Sequence, residues 1–242
     1  MSSVTGELKG VRRPRFYLYA LIFAAAVLFA GFAKTYFLKV VFGTPPLYPL
    51  LHLHGIVMTS WFVLFAVQTW LVSAHRTDLH RRLGIFGVLL TFMILIVGAA
   101  VVTINAREGR VPDAASVPVV IALSYANLLV FGVLVAAAIY FRRRSEYHKR
   151  LMLLATLNLL SAAINRIPLD FIATGGLFAV YGLLDLFIVI CAGIDTLRHR
   201  RLHPAFVWGA ILSMAWPWLT ILAGGSSVWG ELTRRILSGS PQ

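Results

Sequence analysis

Seven runs of mostly apolar residues, each about 20 long, divide the chain at 16–37, 48–73, 84–104, 116–141, 149–168, 175–197 and 204–223. Each can cross the hydrocarbon of a bilayer as a helix that satisfies its own backbone N–H and C=O groups. Composition agrees. With 59% hydrophobic and 13% charged residues among 242, the chain carries more apolar surface than one water-soluble core can hide. The expected fold is all-α, a polytopic transmembrane bundle of seven helices. It comprises a basic tail over 1–15, one transmembrane domain over 16–223 and a short outward tail over 224–242. The first run has the basic-then-apolar order of a signal peptide but the length of a full span, so it reads as a retained anchor. The fifth is the least apolar because Asn158, Ser161 and Asn165 interrupt it, yet it still reads as spanning.

Orientation follows from the cations. The N-terminal tail and the loops at 74–83, 142–150 and 198–203 hold 15 of the 22 Lys and Arg, which predicts a cytoplasmic N-terminus and an outward C-terminus. The net charge of +13 does not point to nucleic acid, because the basic residues sit in short runs between apolar segments rather than along one face. Cys191 is the single cysteine, which excludes an internal disulfide and a cysteine metal cluster. HRRL at 80–83, HKRL at 148–151 and HRRL at 199–202 stand at the cytoplasmic ends of the third, fifth and seventh runs. Their Arg81, Arg82, Lys149, Arg150, Arg200 and Arg201 are expected to meet anionic lipid headgroups, at about 1 kcal/mol each, or an acidic membrane-protein partner.

LLHLHG at 50–55 brings two histidines to the start of the second run. A helix turns about 100° per residue, so His52 and His54 point roughly 200° apart and cannot chelate one ion from a regular helix. His52 shares a face with Gly55, Thr59, Val63 and Ala66, where small side chains favour close approach of a neighbour. Both also suit an interfacial position, polar tip up and apolar body down.

Asp185 lies near the middle of the sixth run, where a carboxylate costs about 2.5–3.5 kcal/mol on insertion scales and must be protonated, paired or bordering water. Tyr181 shares its face, and Asn158, Ser161 and Asn165 line one side of the fifth run with Arg166 at its outer end. Two readings stand. The stripes are interhelical hydrogen-bonding glue, or His52 or His54, Asn158, Asn165, Arg166, Tyr181 and Asp185 line an outward-opening pocket for a cofactor or small ligand. Pro217 removes a backbone donor from the last run and can kink it.

A b-type haem held by two histidines needs them at similar depth on different helices. On the cytoplasmic side His80 and His148 begin separate helices at matching depth. His199 and His203, one helical turn apart if the intervening turn is helical, suit a metal ion but lack an evident third ligand.

HLHGIVMTSWFVLFAVQTWLV, DLHRRLGIFG and EYHKRLMLLAT together resemble a family of bacterial seven-helix inner-membrane proteins, over about 45–215. The resemblance implies a multi-pass protein of the bacterial inner membrane and brings no activity with it. More loosely, histidines at helix ends in a small bundle are similar to cytochrome b561-type electron carriers, from which this chain departs in lacking matched pairs on both sides. The leading expectation is a membrane protein with an enclosed polar site serving redox or proton-linked chemistry. Its alternatives are a non-catalytic membrane subunit or assembly factor docked through basic loops, and a small-solute or proton-coupled transporter, the latter disfavoured because no inverted repeat is evident.

Overall fold

The computed structural model describes residues 15–110, 117–224 and 226–238. The basic tail expected over 1–15 lies outside them apart from Arg15, as do residues 239–242 of the expected outward tail. The chain forms α1 (Arg15–Phe32, continued by a π turn at Ala33–Phe37), α2 (Pro49–Ser73), α3 (Thr77–Arg107) and α4 (Val117–Tyr140). There follow α5 (Ser145–Asn158), α6 (Ser161–Ile164), α7 (Asp170–His199), α8 (Pro204–Gly224) and α9 (Ser227–Ser238). No strand occurs among the described residues. Six of the helices, α1 with its π turn, α2, α3, α4, α7 and α8, are long and apolar enough to cross a membrane. The protein is an all-helical, multi-pass membrane protein.

Those six helices form a ring. α1 packs on α2, α2 on α3, α3 on α4, α4 on α8 and α8 on α7, and Phe23 against Phe187, ring centroids 4.2 Å apart, closes α7 onto α1. The ring's outer surface exposes large apolar side chains such as Ile22, Val63, Ile96, Leu186 and Trp208, as helices facing lipid require.

The fifth apolar run differs from its expected single helix. It is α5, a turn at Leu159–Leu160 and the one-turn α6, and it fills the middle of the ring, against α4, α7 and α8 through α5 and against α1 and α7 through α6. From Leu153 to Leu160 every residue is buried. Thr156, Asn158 and Ser161 would be penalised against acyl chains, so the least apolar segment lies where protein surrounds it. Trp61 Nε1 of α2 donates to Thr156 Oγ1 at 3.2 Å, and Thr156 in turn donates to the Met152 carbonyl.

Lipid tails are as apolar as leucine, so helices associate here by close packing rather than by expelling water. Gly31 of α1 lies directly against the Ala163 backbone of α6. The small-residue face expected around His52 has its neighbour too, because a Cβ at Gly55 would reach the Tyr36 ring at 2.5 Å. α7 breaks once, at Gly176 with φ +53° and ψ −136°, a conformation that glycine adopts without steric penalty. α8 remains helical through Pro217. Residues 227–238, expected as part of a tail, are instead the helix α9, whose Trp229 Nε1 donates to the Pro118 carbonyl at 2.7 Å.

Candidate functional site

The loops Ala74–Arg76 and Phe141–Arg144 and the α7–α8 turn meet at one end of the bundle, the basic end. There α3 and α5 each carry a histidine as their fourth residue, His80 and His148. Their ring centroids lie 6.1 Å apart with planes at 85°. His148 Nδ1 lies 2.8 Å from the Ala138 carbonyl. A carbonyl only accepts, so Nδ1 carries the proton and Nε2 of the neutral ring keeps its lone pair. His80 Nδ1 is buried and makes no well-formed hydrogen bond, although the Gln68 backbone carbonyl lies beside the ring. Beside the pair, Arg81 and Arg82 are exposed.

On the other side of α5 lies a buried ion pair. Arg150 Nε donates to Asp195 Oδ2 at 2.8 Å and Nη2 to Oδ1 at 3.0 Å, and each residue is only 1% exposed. The third nitrogen, Nη1, donates to the Glu146 carbonyl and to Oε2 at 2.6 Å, while Lys149 Nζ donates to Oε1 at 2.6 Å. His199 Nδ1 donates to the Asp195 carbonyl at 2.8 Å, so its 3.4 Å approach to Arg150 Nη2 sets two donors side by side and is not a hydrogen bond. The fork matches the carboxylate geometry that makes Arg the usual partner for a desolvated acid.

Glu146 precedes the apolar run. Partial burial would raise its pKa, but the hydrogen bonds from Lys149 and Arg150, aided by their charges, outweigh that and bring it from 4.5 down to about 2. A carboxyl whose pKa falls on folding stabilises fully above the unfolded value and ceases to do so as pH drops through the folded one. The thermal stability of the detergent-solubilised protein is therefore expected to decline between about pH 4.5 and 2. Glu146→Gln should make that part of the profile shallower; an unchanged profile would show that Glu146 is not the linked group.

The residues expected to line one outward pocket are divided among three places. Asn158 is fully buried and its Nδ2 donates to the Asn127 carbonyl at 3.0 Å. Asn127 Nδ2 donates to Tyr181 Oη at 2.9 Å and to Ser161 Oγ at 3.2 Å. Asp185, one turn beyond Tyr181, faces α8, where Trp218 Nε1 donates to its Oδ2 at 2.8 Å. At the end opposite the basic loops, Arg166 donates to the Ala162 carbonyl and lies 5.0 Å from the Phe32 ring centre. His54 is half-buried within range of the Arg166 charge, whereas His52 and Asn165 are exposed. Asn158 Oδ1 and Asp185 Oδ1 remain buried without partners. These groups bond chiefly to neighbouring helices, as polar glue does.

Two expectations are corrected. Arg150 does not meet headgroups, because Asp195 draws its side chain into the bundle. His199 and His203 are not one helical turn apart, because α7 ends at His199, Arg200 is left-handed with φ +56° and α8 begins at Pro204. His203 is buried and its Nδ1 accepts from the Ala205 N–H. Burial, with the charge of Arg150 adding to it, holds its pKa below the usual imidazole range. No cluster of three or more His, Cys, Asp or Glu able to hold a metal ion occurs among the described residues. Of the other residues read as headgroup contacts, Lys149 is half-buried on Glu146, and Arg200 and Arg201 are exposed.

Sequence reasoning missed Asp195, Glu146, Asn127 and Trp218. Two i,i+4 pairs at matching depth, Glu146 with Arg150 and Asp195 with His199, were the available signal for the first two. Asn127, a carboxamide in the middle of the α4 run, carried the same signal as Asn158, whereas Trp218 does not stand out in an apolar helix. Comparison with known proteins finds no matching family model, curated protein or solved structure.

Proposed function

We propose that this is a seven-crossing protein of the bacterial inner membrane, with a cytoplasmic N-terminus and an outward C-terminus, that holds a b-type haem between His80 and His148 for electron transfer at the cytoplasmic boundary. The supporting observation is the meeting of two imidazoles from separate helices. Their ring centroids lie 6.1 Å apart, and His80 and His148 would hold the group between them. Such a group, when bound, supplies one-electron chemistry.

The chain's own residues do the holding. The Ala138 carbonyl fixes the His148 tautomer that leaves Nε2 free to ligate, the kind of support that orients metal-bound histidines. His80 brings a buried Nδ1 that makes no well-formed hydrogen bond, with the Gln68 backbone carbonyl beside the ring. Arg81 and Arg82, with no acidic side chain in ion-pairing contact among the described residues, suit the carboxylates a haem carries. The positive-inside distribution supports the orientation, and α5 with α6, running from the basic end to the Gly31 contact at the other, supplies the seventh crossing.

Full-length protein purified from cells supplied with haem precursor is expected to show a Soret band at one haem per chain. His80→Ala and His148→Ala should each abolish it, while His199→Ala keeps it; all three should retain helical content and monodispersity. A colourless wild-type protein, or a band undiminished in His148→Ala, would overturn the assignment.

A further inference from the structure

Near the basic end α7 and α8 separate. Between them lies an open groove of about 470 Å³ on the surface of the bundle. Its wall is apolar and its floor is made by small residues, Ala192 and Gly193 of α7 and Ala210 of α8. A Cβ at Gly193 would meet nothing within 4 Å, so the space is real rather than filled by a neighbour. It opens on the lipid-facing side, where Leu197 and Leu202 are 79% and 55% exposed. Thr196, which also lines it, has a buried hydroxyl with no partner.

The turn at one end of the groove differs in chemistry from its wall. Leu197 and Leu202 bracket the turn that carries Arg200 and Arg201, and the left-handed Arg200 ends α7 there. Both arginines are exposed, and among the described residues no carboxylate pairs with either. The neighbouring acids are already engaged: Asp195 and Glu146 are bound by Arg150, and Glu146 also by Lys149. Arg198 lies over the Phe16 ring instead. An apolar slot lined at one end by Leu197 and Leu202, with the unpaired Arg200 and Arg201 on the turn between them, complements an amphiphile with an acyl tail and an anionic head.

We propose that this groove is a specific site for an anionic phospholipid, one acyl chain lying between α7 and α8 and the phosphodiester meeting Arg200 and Arg201. Bulk attraction of a basic loop to an anionic leaflet needs no groove. Here the apolar slot fixes the tail, and the arginines select the head. The site is separate from the His80–His148 pair, so it stands or falls independently of haem binding.

The test is native mass spectrometry of the full-length protein equilibrated with equal amounts of phosphatidylglycerol and phosphatidylcholine. Wild type is expected to retain one phosphatidylglycerol, preferred by roughly 10- to 30-fold over phosphatidylcholine, as two basic contacts imply. Arg200→Gln with Arg201→Gln should bring the preference near parity while a lipid is still retained. Gly193→Leu, which fills the slot and leaves the charges, should lose the retained lipid. Absence of headgroup preference in wild type, or a preference unaffected by both variants, overturns the proposal. So does a wild-type dimer that Gly193→Leu dissociates, since a second copy would then occupy the groove.

Discussion

Arg150→Met is expected to destabilise the protein by about 3–5 kcal/mol, the usual result of removing one partner from a buried ion pair. The substitution preserves length and packing volume but leaves Asp195, 1% exposed, without the fork that neutralises it. Glu146 also loses two of its hydrogen-bond donor contacts, to its carbonyl and to Oε2. The double variant Arg150→Met with Asp195→Leu removes both charges from the interior, and such replacements are often neutral or better. Most of the lost stability should therefore return. Reversible unfolding in detergent, followed by circular dichroism, measures both. A single variant as stable as wild type would mean that the pair is not buried as described. A double variant as unstable as the single would mean that the guanidinium acts through something other than Asp195.

Gly31→Val is expected to release α1 from the bundle, lowering stability by about 1–3 kcal/mol or more. A Cβ at residue 31 would overlap the Ala163 carbonyl and its backbone neighbours, and a backbone cannot rotate away as a side chain can. α6, a single turn held between α1 and α7, would have to move. Gly182→Ala is the control: a Cβ there meets nothing within 4 Å, and removing a helical glycine should add about 0.5–1 kcal/mol. Equal melting temperatures for Gly31→Val and wild type would show that α1 and α6 do not touch at these residues.

Depth was readable in advance and azimuth was not. The echo of HRRL and HKRL put His80 and His148 at one level, since each opens a helix after a basic loop. Nothing in the spacing said that α3 and α5 are turned so that the two rings face each other. Asp185 attracted attention as a carboxylate in mid-run, but Asp195, ten residues later, is the one sealed in the bundle. Its burial depends on Arg150 arriving from α5, a partner 45 positions away. The fifth run shows the same division. Its Asn158, Ser161 and Asn165 marked it as poorly suited to lipid; the structure buries Asn158 and Ser161 among the surrounding helices and leaves Asn165 exposed where α6 ends.

Hydropathy and charge are properties of single residues and their close neighbours, so they alone determined that this chain is a helical membrane protein with its basic loops gathered at one end. Which polar groups bond, which arginine is withdrawn from the surface, and where helices separate into a groove depend on pairs distant in sequence. Lipid rewards every apolar face nearly equally, so hydropathy could not select those pairs. Close packing at glycines such as Gly31, and the need of each buried polar group for a partner, decided them only in three dimensions.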